Sequence, residues 1–179
     1  MKKNIRILSI CGSLRVNSSN HAVVKAVAAM VPENTDFIIY RGLADLPAFN
    51  DSLDEPLPVS DLREQLQWSD AVFICTPEYA FGVPGSLKNA LDWIVGSGEL
   101  TDKPVAVVTA AASGEHAHAS ILLTLKALSA KVAEEGTAII PFIRSKLDEK
   151  GDVSDPATVA ILKSTLEKLI ANIEPKNQE

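Results

Sequence analysis

Five short apolar runs, separated by segments of helical character, most constrain what this chain can fold into. The runs are rich in β-branched residues and cover residues 5–10, 37–40, 71–75, 105–109 and 138–140. Continuous apolar runs of this length are typical of parallel strands that are buried on both faces. Because strands that alternate with helices connect through right-handed crossovers, the pattern predicts a doubly wound parallel sheet with helices on both faces.

Apolar residues at helical spacing fill the intervals between these runs. The stripes comprise Val23, Val24, Val27, Met30 and Val31; Leu87, Ala90, Leu91, Ile94 and Val95; Ile121, Leu122, Leu125, Leu128 and Val132; and Val159, Leu162, Leu166, Leu169, Ile170 and Ile173. A count of five strands favours the order 2-1-3-4-5. We therefore predict a single α/β domain over residues 1–179, with a polar excursion at 41–60, a short helix at 62–68 and a frayed tail at about 174–179.

The charge balance restricts the partners. Lys and Arg number 17 against 23 Asp and Glu, so the net charge is −6. Such a chain is poorly suited to broad electrostatic binding of nucleic acid or of an anionic membrane, and an anionic ligand must be held locally. No apolar run reaches the roughly 18 residues of a membrane helix. Two cysteines in apolar surroundings, Cys11 and Cys75, favour the reducing cytoplasm.

The first strand is followed by a loop suited to an anion. In an open α/β sheet the ligand binds outside the carboxyl ends of the strands where the strand order reverses, here between the first and third strands. Residues 11–20 combine hydroxyls, an amide and one guanidinium, Arg15, at the start of a helix, which favours a phosphate. Glycine motifs for a pyrophosphate or a triphosphate are absent, so one terminal phosphate is expected. The alternative that Ser18 and Asn20 only cap the helix stays open.

The loop after the third strand is suited to a flat ring. Residues 76–85 contain two prolines and two glycines, which fix an irregular backbone, and Tyr79 and Phe81 offer apolar faces. The alternative is a stiff turn with an aromatic side chain packed on the core. The loop after the fourth strand, 110–118, is rich in small residues and can pass close under a ring. One phosphate and one flat ring system at the same crevice point to FMN.

Metal and thiol chemistry are not expected. His116 and His118 stand two residues apart with only His21 elsewhere, which gives too few ligands for a metal site. The two cysteines lack the C-x-x-C spacing of a redox pair, so both are interpreted as small buried hydrophobic residues.

At these two loops the sequence resembles the NADPH-dependent FMN reductase family, the flavodoxin-like group that includes chromate, quinone and azo-dye reductases. Residues 12–15 (GSLR) with 18–20 (SSN) are similar to the family's GSLRxxSxN phosphate loop. Residues 77–79 (PEY) and 84–93 (PGSLKNALDW) are similar to its PEYNxxxPGxLKNAxDW signature. The strand pattern agrees along nearly the whole chain.

The resemblance implies that the first loop holds the FMN phosphate and that the second borders the isoalloxazine; the small residues of the third loop add it to the candidates. The candidate cofactor-binding residues are Ser13, Arg15, Ser18, Ser19, Asn20, Pro77, Glu78, Tyr79, Ala80, Ser113 and Gly114. Two departures stand out: Ala80 occupies the place of the family's usual Asn, and Ala117 with His118 lie near the place of a usual Gly-Gly pair. These departures bear on how the nicotinamide or the acceptor enters.

The implied activity is an NAD(P)H-dependent FMN reductase that works by a ping-pong hydride mechanism. The acceptors expected from the family are quinones, flavins, azo compounds or metal oxyanions such as chromate. Because the cofactors carry the chemistry, no catalytic acid, base or nucleophile is assigned. The alternative is a flavodoxin-type FMN electron carrier without NAD(P)H activity. A phosphoacceptor receiver domain of the same topology is disfavoured because Cys11, Gly12 and Ser13 stand where acidic residues would be needed.

A homodimer or homotetramer is expected, since a flavin over a shallow crevice needs a neighbouring surface to cover it and the family resembled is oligomeric. Trp93 and its helix are the candidate contact, because Leu91 and Ile94 already supply the core face of that helix.

Overall fold

The structure, a computed structural model, describes residues 4–51 and 54–173. Its helices and strands alternate along the chain in the order β1 (Ile5–Cys11), α1 (Ser19–Ala28), β2 (Thr35–Ile39), α2 (Leu57–Trp68), β3 (Ala71–Thr76), α3 (Gly85–Trp93), β4 (Pro104–Ala110), α4 (Glu115–Ala127), β5 (Lys131–Ile140) and α5 (Pro156–Ala171). Short 3₁₀ turns cover Gly42–Ala44 and Ile143–Lys146. The predicted frayed tail, 174–179, lies outside the described residues.

The five strands form one parallel sheet in the order β2-β1-β3-β4-β5. This confirms the predicted flavodoxin-like fold class and strand order. Cys11 pairs with Cys75 and Thr76 pairs with Thr109, so β1, β3 and β4 end almost side by side. The loops that follow these strands therefore meet at one edge of the sheet.

Two hydrophobic layers cover the sheet, as the apolar runs predicted. One layer joins α2, α3 and α4 to alternate strand residues such as Leu8, Ile74 and Val107. The other layer joins α1 and α5 to the strand residues that face the opposite side of the sheet, such as Phe73 and Ala106. Because every residue of β3 and β4 is buried, these central strands are continuous apolar runs rather than alternating ones.

The boundary between α4 and β5 differs from the prediction. Val132, which we assigned to the helical stripe, lies in β5, which begins at Lys131 rather than near residue 138. The helix ends at Ala127, and Ser129 adopts a left-handed conformation with φ of 57° that turns the chain back. Valine suits the buried side of either element, so periodicity alone placed it in the wrong one.

The excursion at 41–60 folds back onto α3 and covers Trp93. The Trp93 side chain is only 5% exposed, its Nε1 donates to the carbonyl of Pro47 at 2.8 Å, and its ring packs edge-on against Phe49. Asn89 adds two hydrogen bonds, donating to Pro47 O and accepting from Phe49 N–H. The expectation that Trp93 contacts a second subunit was therefore wrong, because the chain's own excursion covers it.

The predicted short helix at 62–68 is the second half of α2, which begins at Leu57 with Pro58 in its first turn. None of the helices among the described residues combines the length and the apolar character required to cross a membrane.

Candidate functional site

A cavity of about 490 Å³ opens at the carboxyl ends of the central strands. It is lined by Arg15, Ser18, Ser19, Asn20, Pro77, Glu78, Tyr79, Ala110, Ala111, Ala112, Phe142, Ile143, Arg144 and Ser145. The structure thus brings together most of the candidate residues from the first two loops. Ser13, Ala80, Ser113 and Gly114 lie outside the lining.

Ser18 and Asn20 hold the start of α1 in place. The Ser18 hydroxyl is the N-cap and accepts a hydrogen bond from the Asn20 N–H at 3.1 Å. The Asn20 side chain, in a residue 2% exposed, donates to Ala110 O at 3.0 Å and accepts from the Cys75 thiol at 3.1 Å. Ser18 therefore caps α1, a role that the sequence left open. Asn20 links the start of the helix to β3 and β4 by hydrogen bonds.

Ser13 and Gly12 support the backbone of the first loop. The Ser13 hydroxyl is buried and accepts from the Arg15 N–H at 3.4 Å, while its carbonyl lies 2.8 Å from His21 Nε2. A Cβ on Gly12 would stand 2.9 Å from Thr76 Oγ1, so only glycine permits this approach of β1's end to β3. Ser13 thus supports the loop rather than facing the cavity.

Arg15 and the N-terminus of α1 are the groups of this wall that could hold an anion. Arg15 is exposed, and no ion pair joins it to another residue within 4–51 or 54–173. The Ser19 N–H begins the helix and so has no intrahelical acceptor, and the helix dipole adds partial positive charge. The wall therefore offers a guanidinium, a hydroxyl and backbone donors to a phosphate.

The second loop makes a tight turn at the mouth of the cavity. Tyr79 and Gly82 exchange two backbone hydrogen bonds, at 2.8 and 3.0 Å, and the residues between them, Ala80 and Phe81, have φ of 48° and 60°. Positive φ at both central positions defines a type I′ turn, in which Asn or Gly is favoured. The Asn that the resembled signature has at the position of Ala80 would therefore suit the left-handed backbone of this turn. Tyr79 stays 51% exposed beside the cavity.

Glu78 joins the second loop to the third. Its Oε2 accepts a hydrogen bond from the Ala117 N–H at 2.9 Å, in the first turn of α4. The N-cap of that helix is Gly114, which has no side chain to cap it, so the Glu78 carboxylate supplies the acceptor. Gly114 has φ of 107°, and a Cβ there would stand 3.1 Å from both Ile139 and Thr109. Glu78 and Gly114 therefore fix the loops around the cavity.

The histidines near the third loop have packing roles. His118 lies in α4 with Nδ1 2.9 Å from Thr109 Oγ1, and burial lowers its pKa below the ordinary value. The His116 ring packs edge-on against Phe81, with centroids 5.1 Å apart. Among the described residues no group of three or more His, Cys, Asp or Glu is arranged to hold a metal ion.

The cysteines are buried thiols. Burial raises the pKa of Cys11 and raises that of Cys75 well above its ordinary value, so both stay protonated near neutral pH. A protonated Cys75 is what the hydrogen bond to Asn20 requires, since the thiol is the donor.

Sequence reasoning missed one wall of the cavity, the segment from Phe142 to Ser145 after β5. Phe142 is 69% exposed with φ of 53°, and its N–H donates to Ala112 O at 3.3 Å. Arg144 brings a second guanidinium to the cavity. The position of this segment after a parallel strand, at the same edge of the sheet, could have indicated that it borders the cavity. No recognisable sequence motif marks it.

Comparisons with known proteins agree with this geometry. Residues 5–144 match the sequence profile of the NADPH-dependent FMN reductases. The chain belongs to this family. A quinone reductase of Escherichia coli K12 is 30% identical over 169 residues, covering 89% of this chain and 90% of that protein. An NAD(P)H-dependent FMN reductase of Pseudomonas aeruginosa is 29% identical over 177 residues, with 94% and 95% covered.

Among solved structures, FerB, a flavoenzyme NAD(P)H:(acceptor) oxidoreductase from Paracoccus denitrificans, is similar with a TM-score of 0.84 and 28% identity, covering 94% of this chain and 97% of that one. The chain is thus an FMN-dependent oxidoreductase of the NADPH-dependent FMN reductase family, with NAD(P)H as co-substrate. The lining suits this cofactor: Arg15 and the α1 N-terminus would offer donors to its phosphate, and Pro77 and Tyr79 would offer apolar surface to its ring.

Replacing Ala80 with Asn is expected to stabilise the protein. Asn accepts the left-handed conformation more readily than Ala, so the free energy of unfolding should rise by about 0.5–1 kcal/mol. Urea unfolding measures the change. Ala48→Asn is the matched control, at an exposed loop residue that does not have positive φ, and should change stability by less than about 0.5 kcal/mol. Equal effects of the two substitutions would contradict the turn assignment.

Proposed function

We propose that this protein transfers electrons from NADPH or NADH, through bound FMN, to a small-molecule acceptor such as a quinone, a free flavin, an azo compound or a metal oxyanion such as chromate. The observation that carries the proposal is the meeting, in one cavity, of an anion-binding helix N-terminus with Arg15 and an apolar mouth with Tyr79. The quinone reductase name of the Escherichia coli relative supports a quinone as acceptor.

FMN supplies the hydride chemistry when it is bound, and the residues of this chain position it and shape the approach to it. Arg15, Ser19 and the first N–H groups of α1 bind the phosphate end. Pro77 and Tyr79 border the ring end, and Glu78 keeps their loop in place through α4. We assign no proton transfer to any of these groups.

We further propose a ping-pong order of events, which the shape of the cavity supports. The floor consists of the small residues Ala110, Ala111 and Ala112, and the half-exposed Tyr79 stands at the open side. The nicotinamide donor and the acceptor both have to approach from that open side. They therefore occupy it in turn, which gives a ping-pong scheme.

A stopped-flow experiment tests this function against the flavodoxin-type carrier. The protein loaded with FMN is mixed anaerobically with NADPH or NADH, and flavin absorbance is followed before a quinone is added. We expect bleaching by at least one nucleotide and reoxidation by the quinone, with parallel lines in steady-state double-reciprocal plots. Retained FMN that no nucleotide bleaches would instead identify a carrier.

Replacing Arg15 with Ala should weaken FMN binding by about ten- to a hundredfold, since it removes a charge-assisted contact to the phosphate. The free energy of unfolding without FMN should be almost unchanged because Arg15 is exposed. Fluorescence titration with FMN measures the affinity. Arg41→Ala is the control, an exposed arginine outside the cavity lining. Unchanged FMN affinity in Arg15→Ala would refute the proposed phosphate site.

A homodimer or homotetramer is the proposed assembly, now through the cavity rim rather than through Trp93. Large apolar side chains around the cavity are exposed, namely Leu14, Val16, Tyr79, Phe81 and Phe142. A second copy against part of this rim would bury apolar surface and narrow the opening above the cofactor. Sedimentation equilibrium at micromolar concentration should give two or four times 19.1 kDa, and replacing Val16 and Phe81 with Ser should shift the mass toward one chain.

The cytoplasm remains the proposed location, because two buried thiols without a disulfide suit a reducing compartment.

A further inference from the structure

The start of α1 and the segment after β5 are held side by side by three successive residues of the third loop. Ala110 O accepts from the Asn20 side chain, Ala111 O from the Ile143 N–H at 3.2 Å, and Ala112 O from the Phe142 N–H. Because consecutive residues span only about 3.5 Å each, the two segments flank the same few residues of the cavity floor. Whatever binds at the N-terminus of α1 therefore lies near the segment from Phe142 to Ser145.

Arg144 is held firmly within that segment. The preceding side chain, Ile143, is buried in the core at 3% exposure. The N–H and the hydroxyl of Ser145 both donate to Phe142 O at 2.9 Å and close a turn around Arg144. The backbone of Arg144 is thus anchored on both sides while its side chain is exposed at the cavity.

Neither guanidinium of the cavity is neutralised by the protein. In the part of the chain that the structure describes, no ion pair involves Arg15 or Arg144. Lys146, two residues further on, contrasts with them because it pairs with Asp155 at 3.8 Å. In a chain of net charge −6, two unneutralised guanidinium groups in one cavity indicate a ligand that carries more than one negative charge.

The donors of α1 are fewer than its sequence suggests. The Asn20 side chain is engaged with Ala110 O and the Cys75 thiol, and the Asn20 N–H donates to the Ser18 hydroxyl oxygen, which keeps its own O–H as a donor. A phosphate monoester carries a charge of about −1.5 to −2 near pH 7 and three strong acceptor oxygens. Arg15 supplies one full positive charge and the helix N-terminus about half of one, so a fully ionised phosphate still has about half a charge without a partner.

We propose that Arg144 is the second guanidinium of the FMN phosphate site, reaching the phosphate from the β5 side of the cavity while Arg15 reaches it from the α1 side. The proposal rests on the FMN binding that the proposed function requires. It extends the phosphate site beyond the first loop to a residue that no motif in the sequence marks.

Comparison of FMN with riboflavin tests this assignment, because riboflavin has the same ring and ribityl chain but no phosphate. The full chain is stripped of flavin and titrated with each compound, with binding followed by flavin fluorescence. Arg144→Gln should weaken FMN binding about tenfold or more and leave riboflavin binding within about twofold. Arg144→Lys should recover part of the loss, and Arg41→Gln, outside the cavity lining, should change neither affinity.

Two outcomes would overturn the assignment. Equal losses for FMN and riboflavin would mean that Arg144 supports the ring or the fold rather than the phosphate. Unchanged FMN affinity together with a raised KM for NADPH, but not for NADH, would place Arg144 at the nucleotide instead. Failure of the proposed function looks different: wild-type protein would then bind no FMN, or would bind it without oxidising NADPH, whatever residue stands at 144.

Discussion

The site depends on the buried side chain of Asn20, which ties one helix to two strands. Through Ala110 O and the Cys75 thiol it fixes the start of α1 above the ends of β4 and β3. A buried amide with its partners in place is stable, whereas the same amide without them would cost about 1–3 kcal/mol. The free N–H groups of α1 belong to the same helical turn as Asn20, and Arg15 is joined to the start of that turn because its carbonyl accepts from the Ser18 N–H at 3.1 Å. Asn20 thus positions the neighbouring groups of the first loop and of α1.

The fold was accessible from the sequence because burial on both faces leaves an unmistakable pattern. Strands such as β3 and β4 are continuous apolar runs, and their order followed from their number and from the crossover rule. The predictions were wrong where the same residue types suit two different local structures or environments. Val132 fits a helix or a strand, and what decides is the left-handed Ser129 before it, which no local sequence preference marks. Trp93 has the spacing of an outward-facing residue, and only the return of residues 47–49 buries it.

The candidate site was predictable to the extent that its residues belong to contiguous motifs. The first two loops stand out because glycines, hydroxyls and aromatics cluster within ten residues of a strand end. The wall from Phe142 to Ser145 has no such cluster, and its place at the cavity depends on hydrogen bonds to Ala111 and Ala112 that only the folded chain reveals. Sequence reasoning also could not separate residues that face the cavity from those, such as Ser13 and Gly114, that shape the loops around it.

The backbone of the turn from Tyr79 to Gly82 sets the shape of the cavity mouth largely independently of the side chains that the turn carries. Both hydrogen bonds that close the turn are between backbone atoms, and the side chains of Tyr79 and Phe81 are largely exposed, with an edge-on contact between Phe81 and His116. Tyr79 lines the cavity and Phe81 does not, so a substitution at Phe81 can alter the surface beside the mouth while the cavity lining stays the same. New acceptor preferences can therefore evolve, or be selected in the laboratory, at Phe81 while the lining of the cavity is inherited intact.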